Sequence, residues 1–577
     1  MLYYDNLEFN KDIDYEIYLI NKQLKKHYTE DESKIIIKQS INQLDKVAIT
    51  LAKEDIGFFC LYFLPYFFVP NSNSKIIRPL SKTHYEIFDE LNNMFAKDKW
   101  DNEEFILPRN LGKSTVINKA LACWSHCYRY SRYSVVIGKR EEDAITFVGD
   151  TKQMLKSKKI VDNFGELVKP KERVVNKQEL ELDNNTKIVA VSSGTSIRGT
   201  TYGCSDGIFR PSIVIVDDFI NENDILTDNA KEKIVNKYYK EIMEAGDKAN
   251  YRNGKKISSA SKFLVIGTPL SSDDFINTIR KDSEFRVFHR SVCDFDVDDY
   301  FANNKDWQVY RSILLNSKDE NRVANAQLYY NEHIDTMQFE RLWNDKWSCC
   351  YLANKYFTKR LTFMQELMCD CEKVGDVWIK YMAKLSAKEI EDKQYSKTLL
   401  SIDPSATNNN KADFSAFTVL SKTNNGFYCV REGELKKFDG KTEFDKYIAY
   451  VIDLLHKWQD ITHVVLEKNV YKGVDATRIE EEIAKDKELS KRRIEVILIY
   501  NTINKDARIS TICDKINSGQ IIFNENDKQY NEQVFEFRGQ KYTSHDDAID
   551  SLEMAVNNID KIKTTNKITL LDKSCLF

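Results

Sequence analysis

The sequence predicts an α/β protein with more than one domain, and three observations indicate this. Short β-branched runs alternate with helical segments over roughly residues 50 to 290, as in a parallel sheet. One of these runs leads into a Gly-Lys-Ser turn and a helix start, a strand-loop-helix unit suited to phosphate binding. Beyond residue 390 the pattern changes to three consecutive strands, an amphipathic helix and further strands. A chain of 577 residues is also too long for a single core.

Composition limits the class of protein. With 42% hydrophobic and 30% charged residues the chain is globular, and a formal net charge of -4 restricts nucleic-acid contact to local basic patches. No signal peptide is evident, and the longest apolar run, Ile56 to Val69, is interrupted by Pro65 and is too short to span a bilayer. The twelve cysteines include no CxxC pair, so they are expected to be reduced core thiols and not zinc ligands. We expect a soluble, intracellular protein.

The predicted elements of the first half follow a regular order. Leu80 to Met94 has apolar residues at helical spacing and precedes the strand Phe105 to Leu107. A further β-turn-α unit begins at Val135. Three more strands are predicted: Lys187–Ser192, Pro211–Asp218 and Phe263–Pro269.

In the second half the strands come first. TLLSIDPS, SAFTVLSK and GFYCVREG form a predicted meander. A helix with Phe444, Ile448, Val451 and Leu455 on one face follows, and HVVLEKN and EVILIY are further strands. This is a β-β-β-α-β order.

The stretch Glu103 to Thr115 has the parts of a phosphate-binding loop. Amides at the helix start face an anion, Lys113 adds a positive charge and the Ser114 hydroxyl can bind Mg²⁺. The first glycine of the common GxxxxGK[ST] pattern is missing, and Pro108 and Arg109 stand near its place. On this stretch alone, a chance surface turn competes with the phosphate loop.

Nucleotide hydrolysis also needs an acid at the end of a neighbouring strand. The run Ile213 to Asp218 has that form, with Asp217 placed to serve the metal. Either Asp218 or Glu222 is the candidate for activating water. Thr268 ends the next strand, where its hydroxyl can sense the γ-phosphate.

A second set of acids follows predicted elements of the C-terminal half. Asp403 and Glu467 each end a strand, and Asp550 shares a helical face with Asp546 and Asp547. Carboxylates from separate elements repel one another unless cations bridge them, and two Mg²⁺ or Mn²⁺ ions there would cleave a phosphodiester. Asp413 either joins this site or caps its own turn.

These motifs, in this order, resemble the large terminase subunit of tailed bacteriophages, a DNA-packaging ATPase and nuclease. The resemblance covers roughly residues 55 to 560. Its motifs are PRNLGKST, VVIGKREEDA, SSGTSIRGTTYG, IVIVDD, IGTPLSSDDF, FMQEL, IDPSATNNNKADFSA, VVLEKN and SHDDAIDSLE. Each motif is loose, whereas the ordered series is specific, and the family's loops also lack the first glycine.

The resemblance implies an ASCE-type P-loop ATPase domain followed by an RNase H-like nuclease domain. Together with the sequence pattern, it predicts a helical N-terminal extension at 1-50, the ATPase at 51-300, a linker or lid subdomain at 301-390 and the nuclease at 391-577. The implied partners are double-stranded DNA, a portal protein, a small terminase subunit and further copies in a ring. The implied location is the host cytoplasm, with transient attachment to the procapsid and no membrane.

The resemblance also assigns roles to residues. Arg109 becomes a charge stabiliser, Asp217 the Walker B acid, and Thr268 part of the motif that couples hydrolysis to movement. Asp218 departs from the family, in which glutamate is common. The expected ATP-binding residues are Arg109, Asn110, Gly112, Lys113, Ser114, Thr115 and Asp217. The expected metal ligands are Ser114, Asp217, Asp403, Glu467, Asp546, Asp547 and Asp550, with Asp547 favoured over Asp546.

Three basic groups are candidates for DNA contact. They are Lys152, Lys156, Lys158 and Lys159; Lys491, Arg492 and Arg493; and Lys505 and Arg508. Two alternatives to the packaging motor stay open. A helicase-nuclease of repair or defence would need a second motor core, whereas the sequence has one phosphate loop. A scaffold without activity is disfavoured because both acid sets are intact.

Overall fold

The computed structural model describes most of the chain as two compact units. The described residues are 1–72, 78–225, 228–271, 273–316, 319–371, 378–405, 414–438, 442–468, 471, 473–500, 505–540, 543 and 545–562. The first unit comprises residues 1–303, 338–352 and 364–371, and the second comprises 304–337, 353–363 and 372–577. Segments from 301–390 therefore belong to both units. The domain boundaries expected from the sequence stay a prediction.

The described residues form the following strands and helices. The strands are β1 (Leu2–Tyr4), β2 (Leu7–Phe9), β3 (Asn102–Ile106), β4 (Tyr133–Gly138), β5 (Glu179–Leu182), β6 (Thr186–Ser192), β7 (Tyr202–Cys204), β8 (Gly207–Phe209), β9 (Ile213–Asp217), β10 (Asn250–Arg252), β11 (Lys255–Ser258), β12 (Lys262–Gly267), β13 (Arg286–His289), β14 (Ala383–Leu385), β15 (Tyr395–Asp403), β16 (Ser415–Thr423), β17 (Tyr428–Lys436), β18 (His463–Glu467), β19 (Glu495–Ile499) and β20 (Ile521–Asn524). The α-helices are α1 (Asp12–Leu24), α2 (Glu30–Gln39), α3 (Leu44–Ala52), α4 (Ile56–Phe63), α5 (Pro65–Phe68), α6 (Lys82–Leu91), α7 (Ala120–Cys127), α8 (Glu141–Leu155), α9 (Lys158–Phe164), α10 (Asp228–Lys237), α11 (Phe275–Arg280), α12 (Val297–Asn303), α13 (Lys305–Leu314), α14 (Arg322–Glu332), α15 (Cys349–Thr358), α16 (Arg360–Glu366), α17 (Ala387–Glu391), α18 (Phe444–Lys457), α19 (Val474–Lys485), α20 (Lys505–Asn517), α21 (Lys528–Phe535) and α22 (Asp547–Ile559). Short π-helical segments span Asn92–Ala96, Ser114–Lys119 and Tyr238–Ile242, and 3-10 turns span Ile41–Gln43, Glu222–Ile225, Met243–Ala245 and Leu489–Lys491.

The first unit is built on a sheet in the order β13-β3-β12-β9-β4-β6-β5. All of its neighbours run parallel except β5, which pairs antiparallel with β6 at the edge. The central strands are continuous apolar runs because helices cover both faces of a parallel sheet. Strand β12 separates the phosphate-loop strand β3 from β9, which ends in Asp217. This inserted strand defines the ASCE class of P-loop folds.

The second unit is built on a sheet in the order β14-β20-β17-β16-β15-β18-β19. Strands β15, β16 and β17 form an antiparallel meander, and β18 and β19 continue the sheet in parallel with β15. The order 3-2-1-4-5 of these five strands is that of an RNase H-like fold. Both strand orders confirm the predicted fold class.

Helix α22 crosses the second sheet and is fixed there by buried contacts. Ala548, Leu552 and Ala555 pack in the core with residues of the meander. The Ser551 hydroxyl donates to the carbonyl oxygen of Ser401 at 3.2 Å and lies 2.8 Å from the Thr418 hydroxyl. The register of α22 over the sheet is thereby set, which determines where its acidic first turn lies.

The sequence predicted reduced cysteines and no membrane-spanning segment. The described cysteines are free thiols, most of them buried, as expected for core residues. Among the described helices, none combines the length and apolarity needed to cross a membrane.

Candidate functional site

The loop between β3 and the helix that follows it begins the candidate nucleotide site. Asn110 and Gly112 both have left-handed backbone, with φ of 67° and 91°. Asparagine tolerates this region, whereas most other side chains make it costly, so Asn110 helps to form the turn where the usual glycine is missing. The helical segment begins at Ser114, and the amides of Thr115 and Val116 donate to the carbonyl oxygen of Gly112 at 3.0 and 3.1 Å. A helix start of this kind favours an anion.

His84 on α6 holds this loop from behind. Its Nδ1 accepts a hydrogen bond from the Ser81 amide at 2.9 Å, so its Nε2 carries the proton and donates to the carbonyl oxygen of Leu111 at 2.9 Å. Burial lowers the pKa of His84, which favours this neutral form. His84 was not predicted from the sequence, because a histidine in a helix upstream carries no motif.

Lys113 joins the loop to the neighbouring strand ends. Its Nζ donates to Thr268 Oγ1 at 2.8 Å and lies 3.9 Å from Asp218 Oδ1. Because β3, β12 and β9 are parallel neighbours, their carboxyl ends bring these three residues to one edge of the sheet.

Asp217 and Asp218 are consecutive carboxylates in different surroundings. Burial is the main reason why the pKa of Asp217 rises to about 6; repulsion from Asp218 adds to the rise, and the Ser114 hydroxyl opposes it. Asn118 Nδ2, one turn along the helix from Ser114, donates to Asp217 Oδ2 at 2.6 Å. The Asp218 side chain is 66% exposed, and its backbone is left-handed, with φ of 45°.

Arg109 is exposed and paired. Its Nη1 donates to Glu366 Oε1 at 2.9 Å, and its backbone amide donates to the carbonyl oxygen of Glu366 at 2.8 Å. The Glu366 partner lies in the FMQEL motif, for which the sequence suggested no contact.

One cleft of about 1120 Å³ is lined by most of the predicted site residues of the first unit. It is lined by Arg109, Asn110, Gly112, Lys113, Ser114, Thr115, Asp217, Asp218 and Thr268, together with other residues of the same unit. Glu222 begins a 3-10 turn, and its side chain lies outside the described part of the structure. The cleft is large enough for a nucleoside triphosphate.

A second cluster lies in the other unit. Carboxylate oxygens of Asp403, Glu467 and Asp550 are all within 4.8 Å of one another. The parallel register that pairs Ile402 with Leu466 places Asp403 beside Glu467, and α22 supplies Asp550. Burial, then repulsion from Asp550, raises the pKa of Asp403 well above its usual range.

The third carboxylate of this cluster is Asp550, one of the predicted ligands, whereas Asp547, predicted in preference to Asp546, is not part of the group. Asp547 is also buried, but its Oδ2 accepts from the Phe414 amide at 3.2 Å and from Gln533 Nε2 at 3.4 Å. Asp546 pairs with Lys505 at 2.9 Å. The helical spacing placed all three acids on one face but could not show which of them points at the strand ends. Asp413 lies outside the described residues.

Two basic residues of α20 neutralise Asp550. Lys505 Nζ lies 3.0 Å from its Oδ2 and Arg508 Nη2 lies 3.0 Å from its Oδ1. Arg508 also pairs with Glu553. These side chains therefore pair with the acidic site, and their contact with DNA stays a prediction.

Two of the other basic candidates are also engaged internally. Arg492 donates to the carbonyl oxygens of Trp458 at 3.2 Å and Ile461 at 2.8 Å. Lys159 pairs with Glu16 at 2.6 Å and lies over the ring of Tyr62. They stabilise helix ends and surfaces, which the sequence could not distinguish from exposed cations.

The residues fit hard metal ions in both places. Ser114 and Asp217 offer a hydroxyl and a carboxylate beside the phosphate loop, and Asp403, Glu467 and Asp550 offer only carboxylates. Oxygen donors without sulfur or imidazole suit Mg²⁺ and Mn²⁺.

The fold and both sites define an ASCE P-loop unit and an RNase H-like unit in one chain. No family model and no curated protein matches the sequence. Similar solved structures include those of large terminases, the family that the motifs resemble. A large terminase from a thermophilic bacteriophage is 12% identical, with a TM-score of 0.39 over 84% of this chain and 99% of that one. The HK97 bacteriophage large terminase is 12% identical, with a TM-score of 0.30 over 83% of this chain and 94% of that one. The human cytomegalovirus terminase nuclease domain is 15% identical, with a TM-score of 0.24 over 32% of this chain and 93% of that one.

Proposed function

We propose that this chain is the motor subunit of a viral DNA-packaging machine. It hydrolyses ATP to move double-stranded DNA into a procapsid and cuts concatemeric DNA with a metal-dependent endonuclease. The observation that carries the proposal is that each unit has its own oxygen-donor site at the ends of its central strands. The ordered motifs that resemble large terminases support the same function.

In the nucleotide cleft, this chain's residues bind and orient the triphosphate. Lys113 and the amides at the helix start receive the phosphates, and Ser114 with Asp217 would hold Mg²⁺. When bound, Mg²⁺ neutralises phosphate charge during transfer. Thr268, just after β12, accepts a hydrogen bond from Lys113. Loss of the γ-phosphate would therefore change the contact between Lys113 and the end of β12.

The exposed acid Asp218 is placed to orient water and accept its proton. Its backbone is held by a hydrogen bond from its amide to the carbonyl oxygen of Ile266 at 3.0 Å. Arg109, fixed by Glu366 at the rim of the cleft, supplies positive charge to the developing negative charge of the phosphoryl group.

In the nuclease site, Asp403, Glu467 and Asp550 would hold Mg²⁺ or Mn²⁺. Such ions supply an activated water and stabilise the leaving oxygen of a phosphodiester. Lys505 and Arg508 each pair with one carboxylate oxygen of Asp550 and so fix its orientation. Asp547, held by the Phe414 amide, adds negative charge beside the cluster.

The proposed partners are double-stranded DNA, a portal protein, a small terminase subunit and further copies of this chain in a ring. The proposed place of action is the host cytoplasm, at the procapsid.

Two substitutions test whether the activities are separate. Lys113→Ala should lower ATP hydrolysis by about 100-fold or more because the phosphates lose their charged partner, while plasmid cleavage in Mn²⁺ persists. Asp403→Asn should abolish plasmid cleavage while ATP hydrolysis persists, because a neutral amide is a poor ligand for two cations. Phosphate release and the conversion of supercoiled plasmid measure the two activities.

Lys38→Ala, on the exposed surface of α2, is the control and should retain both activities. Loss of both activities in either site variant, with the fold intact by circular dichroism, would contradict separate sites. Strand separation by the wild-type protein would favour the helicase-nuclease alternative.

A further inference from the structure

The hairpin formed by β10 and β11, residues 250–258, is a local concentration of positive charge; we call it the basic hairpin. Residues 248–262 contain five lysine and arginine residues and no aspartate or glutamate, in a chain of net charge -4. Residues 250–259 are all exposed. Neither the nucleotide cleft nor the acidic cluster includes any of them.

The tip of the hairpin has a defined backbone. Asn253 and Gly254 have φ of 51° and 75°, the left-handed pair that a two-residue hairpin turn requires. The flanking residues Arg252 and Lys255 are directly paired across the strands. The turn therefore presents these two side chains together.

The base of the hairpin is anchored by Asp98. Lys256 Nζ lies 2.6 Å from Asp98 Oδ2, and the Ser259 hydroxyl donates to the same oxygen at 2.9 Å. Lys262, at the start of β12, contacts Asp98 Oδ1 at 2.5 Å. A two-stranded ribbon is marginal by itself in water, so these contacts account for its order.

The tip cations have no comparable role in the fold. Among the described residues, neither Arg252 nor Lys255 forms an ion pair, and both are exposed. Like charges directly opposite each other across two strands are destabilising. A polyanion bound at the tip would relieve that repulsion.

The hairpin is also directly connected to the nucleotide site. After Ser258 the chain enters β12, whose far end leads to Thr268, the partner of Lys113. The hairpin therefore stands at the amino end of a strand whose carboxyl end lines the ATP cleft.

We propose that the basic hairpin binds the phosphate backbone of duplex DNA. This inference rests on the proposed function, since it names a surface through which the motor unit holds its substrate. Duplex DNA presents closely spaced charges that two neighbouring cations can contact, and its major groove admits a two-stranded ribbon. Tyr251, 65% exposed beside the tip, can pack on the sugar-phosphate chain.

A protein partner is disfavoured by the same features. The tip offers two mutually repelling cations, and a protein interface core is depleted in such charges. The contact with phosphates is independent of base sequence, as translocation along any genome requires.

The test measures binding of the full-length protein to a labelled 30-base-pair duplex over a range of salt. The plot of log affinity against log salt has a negative slope. In the double variant Arg252→Gln with Lys255→Gln this slope should become shallower by about 1.8, since each phosphate contact contributes about 0.9 to its magnitude. The double variant Lys38→Gln with Lys46→Gln makes the same change of charge on α2 and α3 and should leave the slope as in the wild type. Arg252→Lys with Lys255→Arg keeps both charges and should also match the wild type.

The results of this test distinguish a failure of the hairpin proposal from a failure of the proposed function. A hairpin variant that binds like the α2–α3 control overturns the hairpin proposal alone, provided that the wild type binds duplex and hydrolyses ATP. A wild-type protein that does neither overturns both. Basal ATP hydrolysis without DNA should be equal in all variants, because the hairpin residues lie outside the cleft.

Discussion

At the scale of single residues, the neighbouring carboxylates Asp217 and Asp218 have different proposed roles. Asp217 binds the metal, and Asp218 orients the attacking water. Asp217 is the less accessible and is bonded to Asn118, which suits a metal ligand. Asp218 is exposed and held in a left-handed backbone that aims it differently from Asp217. A left-handed aspartate costs free energy, and such strain is concentrated at functional sites.

The acid that activates water can be found by substitution. Asp218→Asn should reduce ATP turnover by about 100-fold with little change in nucleotide affinity, because the amide cannot accept the proton. Glu222→Gln should have a smaller effect. Turnover from phosphate release and affinity for a fluorescent ATP analogue measure the two quantities. A large loss of turnover in Glu222→Gln with a nearly normal Asp218→Asn would assign the base to Glu222.

The sequence indicated most of the site residues but not their supporting contacts. Lys113, Asp217, Asp403 and Glu467 could be identified because each follows a predicted strand, and the ends of parallel strands meet at one edge. His84, Asn118 and Lys505 are ordinary polar residues of helices. Their roles depend on which helix face meets the site, and that depends on packing between distant segments.

At the scale of elements, strand β3 carries a buried acid that the proposed chemistry does not use. Glu104 is fully buried, and neither of its carboxylate oxygens has a hydrogen-bond partner among the described residues. Burial, with repulsion from Asp274, raises the pKa of Glu104 to about 9. The side chain is therefore neutral in the folded protein at pH 7.

This pKa makes stability depend on pH. Between about pH 4.5 and pH 9 the folded state keeps a proton that the unfolded state releases, so the free energy of unfolding falls as pH rises, by up to roughly 1.4 kcal/mol per unit. Glu104→Gln removes this dependence. Its melting temperature should exceed that of the wild type at pH 8.5, and the difference should shrink towards pH 5.

Thermal unfolding followed by circular dichroism at several pH values measures this difference. Glu8→Gln, an exposed glutamate on β2, is the matched control and should follow the wild type throughout. A Glu104→Gln protein whose difference from the wild type is the same at pH 5 and pH 8.5 would show that Glu104 is not held neutral by the fold.

Element boundaries also show what local patterns can indicate. The meander β15 to β17 and helix α18 were predicted because their apolar residues repeat with clear periods and turn residues separate them. Strands β13, β14 and β20 were not predicted. They have three or four residues each, too few for a period, and they become strands only by pairing with β3, β20 and β17.

At the scale of the whole molecule, the described residues include two seven-stranded sheets of different strand order, each with its own core. The second sheet has two buried clusters of its own, and the first sheet packs in a further cluster that shares no residue with them, as two independently packed units require. The change from strands that alternate with helices to three consecutive strands predicted two folds. The division of residues 301–390 between the two units was not predicted. The segments that belong to each unit are short, and their composition does not differ in a way that the sequence could show.

The central claim is that one chain holds two separate metal-dependent sites. Crystals grown with Mn²⁺ and a non-hydrolysable ATP analogue test it directly, because anomalous scattering locates the ion without assumptions about activity. We predict Mn²⁺ peaks both beside Ser114 and Asp217 and among Asp403, Glu467 and Asp550. Well-ordered crystals with the analogue bound and Mn²⁺ at only one of these places, or at neither, would contradict the claim.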